Sequence, residues 1–345
     1  MNRYHTQMSL VEVGKEGQEK IKGSSVLVIG AGALGSPVLQ YLVAAGVGTI
    51  GIVDNDWVDE TNLHRQVLYG VKDIDKPKPI AARDRLAPNN PEVKIRPHYI
   101  RFNKDTALNI MREYDIVVDC TDNFATRYLI NDAAVLLNRP VVYGAIQRFS
   151  GQLMVLNYRN GPTLRCIYPS PPHPLEAAYC EDGGVLGSIG GIIGSMQATE
   201  VLKIILGLDG VLSGRLYFLD SLNFTSQVFS FLRDPVNSVV NELGSYDDLS
   251  ISANELVHDI TAEKLNEMLI DYPGLEVIDL RDDFNKKDIA FKTLPIPFRE
   301  ISQKLNMISE KGPKVFYCTR GIKSSLVINY LQKVHHMNDL YCLII

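Results

Sequence analysis

Asn62, Arg65 and Gln66, with Lys78 thirteen residues after the arginine, are side chains suited to holding a triphosphate. Fixed cations neutralise charge that grows on a departing pyrophosphate, and positioned amides orient it. Asp122 follows the apolar run Ile116-Val-Val-Asp119, at what reads as the carboxyl end of a buried strand. One such carboxylate plus phosphate oxygens satisfies Mg²⁺, a hard cation. Upstream, Gly30-Ala-Gly-Ala-Leu-Gly35 is a Gly-x-Gly-x-x-Gly turn. Gly30, Gly32 and Gly35 let backbone N–H groups approach a phosphate at a helix N-terminus. Asp54, nineteen residues beyond Gly35, stands where an acid commonly binds ribose hydroxyls. The turn and Asp54 alone fit a dinucleotide-dependent oxidoreductase as well as an ATP enzyme. The Asn62–Lys78 set separates the two, because carboxylate adenylation requires two mutually repelling anions to be positioned and needs no protein nucleophile.

Five cysteines are scattered along the chain, an odd count that argues against a disulfide framework. Cys318 ends the apolar run Lys314-Val-Phe-Tyr317 and opens Cys318-Thr-Arg-Gly-Ile-Lys-Ser324. A loop of that kind surrounds sulfur with backbone N–H groups, and Arg320, Lys323 and a following helix N-terminus favour a thiolate or persulfide anion. Cys180 lies in Tyr179-Cys-Glu-Asp-Gly-Gly, just before a Gly-rich helical stretch. It reads either as an acyl acceptor or as a small residue in a crossover loop. Cys120, after a buried strand, reads as a packing residue.

The elements that must position these groups follow from pattern. Residues 25–29 form a continuous apolar run, expected of a strand buried on both faces of a parallel sheet. The glycine turn follows, then a helix to Ala45 and a strand over residues 49–54, which is a Rossmann-type unit. Residues 125–138 read as helix and residues 140–143 as strand. Residues 152–158 and 215–220 alternate like strands, and residues 1–24 carry one short helix. The 345 residues suit two domains. Residues 1–233 form the first, the polar stretch 234–257 a linker, and residues 258–345 a smaller α/β domain. The formal net charge of -5 gives no sign of nucleic-acid binding. The longest apolar region, residues 183–206, is interrupted by Ser188, Ser195, Gln197, Glu200 and Lys203, which favours a buried Gly-rich helix over a membrane span. Its small residues suit packing against another subunit. No N-terminal basic-then-apolar signal is seen, and the expected location is cytoplasmic.

Taken in order, Arg3-Tyr-His-Thr-Gln7, Gly30-Ala-Gly-Ala-Leu-Gly35, Asp54-Asn-Asp56, Asn62-Leu-His-Arg-Gln66, Asp75-Lys-Pro-Lys78 and Asp119-Cys-Thr-Asp-Asn123 resemble the motif set of the MoeB, ThiF and HesA adenylyltransferases, bacterial relatives of ubiquitin-activating enzymes. The resemblance covers residues 1–233. It implies a doubly wound, Rossmann-like adenylation domain that uses ATP and Mg²⁺. The substrate implied is the C-terminal Gly-Gly of a ubiquitin-fold sulfur-carrier protein, and the implied assembly is a homodimer. By the same resemblance Asp54 holds the ribose, Asn62, Arg65, Gln66 and Lys78 the phosphates, and Asp122 the Mg²⁺. Cys180 is placed where the ThiF-like branch links to the activated carrier.

Three departures stand out. Thr6 occupies the place of a family arginine that reaches across the dimer to the γ-phosphate. Two Cys-x-x-Cys pairs that hold structural zinc in many members are reduced to Thr163-Leu-Arg-Cys166 and Pro235-Val-Asn-Ser238, so no zinc is expected. Ser36 replaces a cysteine found in some members.

Residues 258–345 resemble a rhodanese domain through Cys318-Thr-Arg-Gly-Ile-Lys-Ser324 and Val277-Ile-Asp-Leu-Arg281, with the usual segment between Arg281 and Pro297 eroded. This second resemblance implies a sulfur donor, with Cys318 carrying sulfane sulfur toward a carrier thiocarboxylate. A small phosphatase has a similar anion cradle. Two rival functions stay open at this point: a protein that binds nucleotide and carrier without turnover, and an NAD(P)-dependent oxidoreductase. The oxidoreductase leaves Asn62, Arg65, Gln66 and Lys78 idle.

Overall fold

The structure is a computed structural model. It describes residues 3–173, 175, 184–246, 257–282, 291–309, 311–319 and 321–344. Cys180 and Arg320 lie outside the described residues. The chain divides into two units, Met1–Pro171 with Gly184–Tyr246, and Pro172–Gly183 with Asp247–Ile345.

The first unit begins with α1 (His5–Met8) and α2 (Gly14–Gly23), two helices where the sequence suggested one. Then come β1 (Ser25–Ile29), α3 (Gly35–Ala45), β2 (Thr49–Asp54), α4 (Lys78–Leu86), β3 (Lys94–Tyr99), α5 (Lys104–Met111), β4 (Ile116–Asp119) and α6 (Phe124–Leu137). The unit continues with β5 (Val141–Gln147), β6 (Ser150–Leu156), α7 (Leu164–Ile167), α8 (Gly187–Leu206), β7 (Arg215–Asp220) and β8 (Thr225–Ser230). The sheet order is β3-β2-β1-β4-β5-β6-β7-β8. The pairs from β3 to β5 are parallel, and those from β5 to β8 antiparallel.

β1 forms in the middle of the sheet because four of its five residues, Val26 to Ile29, are apolar and buried. Val26, Leu27 and Val28 are fully buried, each contributing roughly 1.5–3 kcal/mol of hydrophobic stabilisation. Its register pairs Ile29 with Val53 on one side and with Asp119 on the other. Gly30, Asp54 and Cys120 therefore emerge together at one carboxyl edge. Strand order reverses between β1 and β4, and a ligand crevice in such sheets opens at that switch.

α8 is long and apolar enough to cross a membrane by length and composition, but its Ile189, Ile193, Gln197 and Val201 are buried in this unit. A Cβ on Gly194 would stand 2.5 Å from Leu34 O, and one on Gly190 2.9 Å from Ala33 O. The small residues at these two positions thus serve close packing within the chain, against α3 and the glycine turn. The sequence expectation that small residues of this stretch pack against another subunit concerns the stretch as a whole, and these two positions are used inside the chain. The polar stretch expected to be linker also differs: residues 234–246 belong to the first unit, and Tyr246 is buried there.

The second unit holds β9 (His258–Ile260), α9 (Ala262–Asp271), β10 (Glu276–Asp279), β11 (Leu294–Pro295), α10 (Ile301–Lys304), β12 (Lys314–Tyr317), α11 (Ile322–His335) and β13 (Leu340–Leu343). Its sheet, β11-β10-β12-β13-β9, is parallel throughout. Phe316 and Cys342 belong to one core cluster, Val315, Tyr317 and Leu343 to another, so both faces are covered. Thr261 caps α9, its hydroxyl accepting from Lys264 N at 3.4 Å.

Candidate active site

The glycine turn is shaped by contacts that forbid side chains. A Cβ on Gly35 would sit 2.1 Å from Gly30 O, and one on Gly30, whose φ is +93°, 2.6 Å from Cys120 O. α3 therefore starts close to the strand ends with its N-terminus facing the crevice, an arrangement that favours an anion. Tyr69 Oη donates to Ala31 O at 2.9 Å and pins the turn from outside.

Asp54 closes one side. Its carboxylate accepts from Ala31 N at 2.7 Å and from Asp56 N at 2.8 Å. Burial pushes its pKa above the ordinary aspartate value, and the nearby Lys78 charge and these N–H groups pull back only part of that shift. Lys78 Nζ lies 2.8 Å from Asp56 Oδ2, with the lysine side chain 5% exposed and the aspartate 62%. The lysine is thus a buried cation held at the edge of solvent by an exposed carboxylate, which an incoming phosphate can displace. Gln66 is buried with Oε1 unbonded, and its Nε2 is 3.5 Å from where a Gly32 Cβ would be. Nε2, the donor end of this amide, is the atom nearest the glycine turn and can donate to a phosphate oxygen.

Asn62 and Arg65 are half-buried and joined, Arg65 Nη2 donating to Asn62 Oδ1 at 2.5 Å. The start of α8 presses on the same turn, since a Gly187 Cβ would lie 3.2 Å from Arg65 Cα. Asp122 is exposed in the loop after β4. On either side of it, Asp119 accepts from Thr121 N at 3.0 Å and Asn123 caps α6 by accepting from Thr126 N at 2.9 Å. Gly30, Gly32, Gly35, Asp54, Lys78 and Asp122 all belong to segments that leave the carboxyl ends of β1, β2 and β4 or run back to them. Among the described residues no group of three His, Cys, Asp or Glu side chains is arranged to hold a metal by itself. A single aspartate is consistent with an ion whose other ligands are phosphate oxygens and water.

Two residues that sequence reasoning missed hold this loop. Arg127 is buried on α6, with Nη2 donating to Thr121 O at 2.6 Å, Nη1 to Gly144 O at 3.1 Å, and its guanidinium 4.7 Å from the Tyr143 ring centroid. Gln197 Nε2 donates to Asp119 O at 2.8 Å and to Val142 O at 3.2 Å. An arginine in a helical stretch gives no sign of pointing inward. The only available signal was polarity within the apolar stretch of α8.

The N-terminal motif lies at the other end of α3. A Cβ on Gly46, just past that helix, would meet the Tyr4 ring at 2.6 Å, and Arg3 Nη1 donates to Asn89 O at 2.8 Å. α3 has 11 residues, so about 16 Å separates its two ends. Within one chain, Arg3, His5 and the exposed Thr6 are therefore placed away from the glycine turn.

The position of the family's zinc site is filled otherwise. Cys166 Sγ accepts from Thr163 N and from Asp234 N, both at 3.3 Å, and Thr163 and Ser238 are buried. One thiol among hydroxyls and backbone amides does not fit a four-ligand zinc ion.

In the second unit Cys318 is buried at the end of β12, and Gly321 N donates to its carbonyl at 3.4 Å. Gly321, with φ +74°, caps α11 in the left-handed region. Lys323, expected to support an anion at Cys318, forms an ion pair with Asp282 at 2.7 Å, which reduces its field at the sulfur. Ser324 Oγ is buried beside the Cys342 thiol. Cys342 Sγ donates to Gly321 O at 3.7 Å, and burial pushes this thiol up to about 11. Arg281 pairs with Asp279 at 2.8 Å and stacks over Tyr317 at 5.1 Å, which braces the strand beside Cys318.

Comparison with known proteins places this geometry. The ThiF family model matches residues 4–238. A sulfur carrier protein adenylyltransferase of Thermus thermophilus is 48% identical over 240 residues, 68% of this chain and 89% of its own length. A probable adenylyltransferase/sulfurtransferase MoeZ of Mycobacterium tuberculosis is 38% identical over 346 positions, covering 96% of this chain and 88% of the relative. An adenylyltransferase and sulfurtransferase MOCS3 of Culex quinquefasciatus is 52% identical over 218 residues, where the match spans 63% of this chain and half of that longer relative. Among solved structures, E. coli MccB with ATP superposes with a TM-score of 0.59 at 22% identity, over 68% of this chain and 73% of MccB, a likeness of fold.

Proposed function

The chain belongs to the ThiF family, and from that premise we propose that it uses ATP to adenylate the C-terminal glycine of a ubiquitin-fold sulfur-carrier protein. The observation that carries this reading is Lys78: a buried ammonium beside Asp54 and the glycine turn, balanced by an exposed aspartate. The ribose hydroxyls are held by Asp54. The phosphates lie along the glycine turn, with Lys78, Arg65, Asn62 and Gln66 around them. The carrier carboxylate attacks the α-phosphorus, the bond to the β-phosphate oxygen breaks, and pyrophosphate leaves. Lys78 and Arg65 offset the charge that accumulates on that leaving group, where fixed donors are worth most. Asp122 would hold Mg²⁺, which when bound would add to the neutralisation of phosphate charge. Arg127 and Gln197 act indirectly, by fixing the backbone that presents Asp122.

The protein acts as a homodimer in this reading. The distance of the N-terminal motif from its own glycine turn supports a contribution from a second copy, in which Arg3 or His5 stands in for the arginine absent at Thr6. No zinc takes part. The second unit acts as a rhodanese-like sulfur carrier through Cys318, fed by a sulfane-sulfur donor, and Cys180 accepts the activated carrier. Carrier-dependent exchange of pyrophosphate into ATP tests the adenylation step. Tight binding of ATP and carrier without exchange would favour a protein that has lost turnover. Binding of NADH without ATP would favour the oxidoreductase.

A further inference from the structure

Helix α6 does more than lead away from Asp122. Tyr128 and Asp132, four residues apart, lie on one face of it and are 1% and 2% exposed. Arg165 from α7 fits between them. Its Nε and Nη2 donate to the two oxygens of Asp132 at 2.8 and 2.7 Å, and its guanidinium lies 4.9 Å from the Tyr128 ring centroid. Asp132 also accepts from Tyr246 Oη at 2.6 Å and from Asn131 Nδ2 at 2.9 Å. Asn131 Oδ1 accepts from Leu164 N at 2.7 Å, and the single proton of Tyr128 Oη is shared between the carbonyls of Tyr168 and Ser170, at 2.9 and 2.8 Å.

These partners are placed at particular points of the chain. The chain leaves the first unit after Pro171 and again after Tyr246. Tyr168 and Ser170 immediately precede the first departure, and Tyr246 is the last residue before the second. Both departures are thus fastened to one helix face. Nearby, the thiol and hydroxyls of Thr163, Cys166 and Ser238 occupy positions where a zinc clamp does not fit.

We propose that Tyr128, Asp132 and Arg165 form a metal-free anchor that fixes both exits from the adenylation unit, and that Asp132 is its hub. Asp132 is then a positioning residue for the steps that follow adenylation. Those steps use the crossover segment bearing Cys180 and the chain leading to Cys318. The anchor's contacts run to α7, to residues 168–170 and to Tyr246, whereas the same helix serves the nucleotide site through Arg127 and the loop that carries Asp122. The part of this inference that concerns later steps rests on the function proposed above; the anchor itself does not.

Asp132→Asn and Tyr246→Phe in the full-length protein separate the two. Hydrogen exchange measures the anchor directly. Asp132→Asn should lose protection by at least tenfold at residues 168–170 and 243–246, and Tyr246→Phe at 243–246 alone. Pyrophosphate exchange should stay within twofold of wild type in both, while carrier thiocarboxylate formation falls about tenfold in Asp132→Asn and less in Tyr246→Phe. If Asp132→Asn does not fold, Tyr246→Phe carries the test alone. Unchanged protection in the variants overturns the anchor, as does a folded variant in which exchange and thiocarboxylate fall in parallel. Absent exchange in wild type would instead defeat the proposed function, and the protection data would still judge the anchor.

Discussion

Lys78 and Asp56 are joined twice: the lysine Nζ lies 2.8 Å from Asp56 Oδ2, and its backbone N–H donates to the Asp56 carbonyl at 2.9 Å. The backbone contact fixes the start of α4 to the end of β2 whatever the side chains do. The side-chain pair is therefore free to open toward a phosphate without loss of fold.

Trp57, the chain's one tryptophan, follows Asp56 and pairs in an isolated bridge with Pro77, the residue before Lys78, and its ring centroid lies 5.9 Å from that of Tyr99. ATP binding should draw Lys78 from Asp56 and change Trp57 fluorescence. Lys78→Met keeps the buried stem and should melt near wild type, because it removes a desolvated charge together with its ion pair and leaves only an exposed aspartate unpaired. It should lower pyrophosphate exchange about 10²-fold, the scale of losing one transition-state donor. Stopped-flow fluorescence and an exchange assay check both halves. Arg65→Ala should lose exchange to a similar extent.

Acid should act on Asp54 in two opposite directions. Its folded pKa is raised, chiefly by burial. For stability, the folded state then holds its proton more tightly than the unfolded chain does. This group's contribution is full below the unfolded value near 3.8 and is lost as pH rises through the folded value. For binding, the ribose needs the carboxylate, so nucleotide affinity should fall as pH drops through the same raised value. ATP titrations should show an acid limb centred above 3.8, and Asp54→Asn should abolish that limb while weakening binding at neutral pH.

Gly35→Ala tests the turn. The added methyl would meet Gly30 O at 2.1 Å, and only backbone movement relieves it. A loss of about 1–3 kcal/mol in stability is expected from forced overpacking, along with weakened ATP binding. Chemical denaturation and calorimetric titration measure these separately.

Cys318→Ser should abolish thiocarboxylate formation with a sulfane-sulfur donor and leave carrier adenylation intact, read by intact-mass spectrometry of the carrier. Its neighbour Cys342 provides the internal control. With its thiol pushed up to about 11 by burial, it should resist alkylation at neutral pH.

What could be read ahead of the structure was set by local chemistry. The continuous apolar run of β1 and the spacing of Gly30, Gly32 and Gly35 allowed one backbone path, and Asp54 followed from it. The buried cation Arg127 was invisible because its partners, Thr121 O and Gly144 O, are backbone groups brought close only by the fold. Asp132 and Tyr246 were missed for a similar reason: 114 positions separate them, and the surrounding sequence is polar enough to pass for linker. The Gly-rich stretch was legible as a close-packing surface, but the contacts of Gly190 and Gly194 inside the chain were not, since composition does not say which surface a small residue meets.

The most direct test of the adenylation reading is carrier-dependent exchange of labelled pyrophosphate into ATP, with the full-length protein and a ubiquitin-fold carrier ending in Gly-Gly. The account predicts exchange that requires the carrier, requires Mg²⁺ and falls about 10²-fold in Lys78→Met. Exchange that proceeds without carrier, or that Lys78→Met leaves at the wild-type rate, would contradict it.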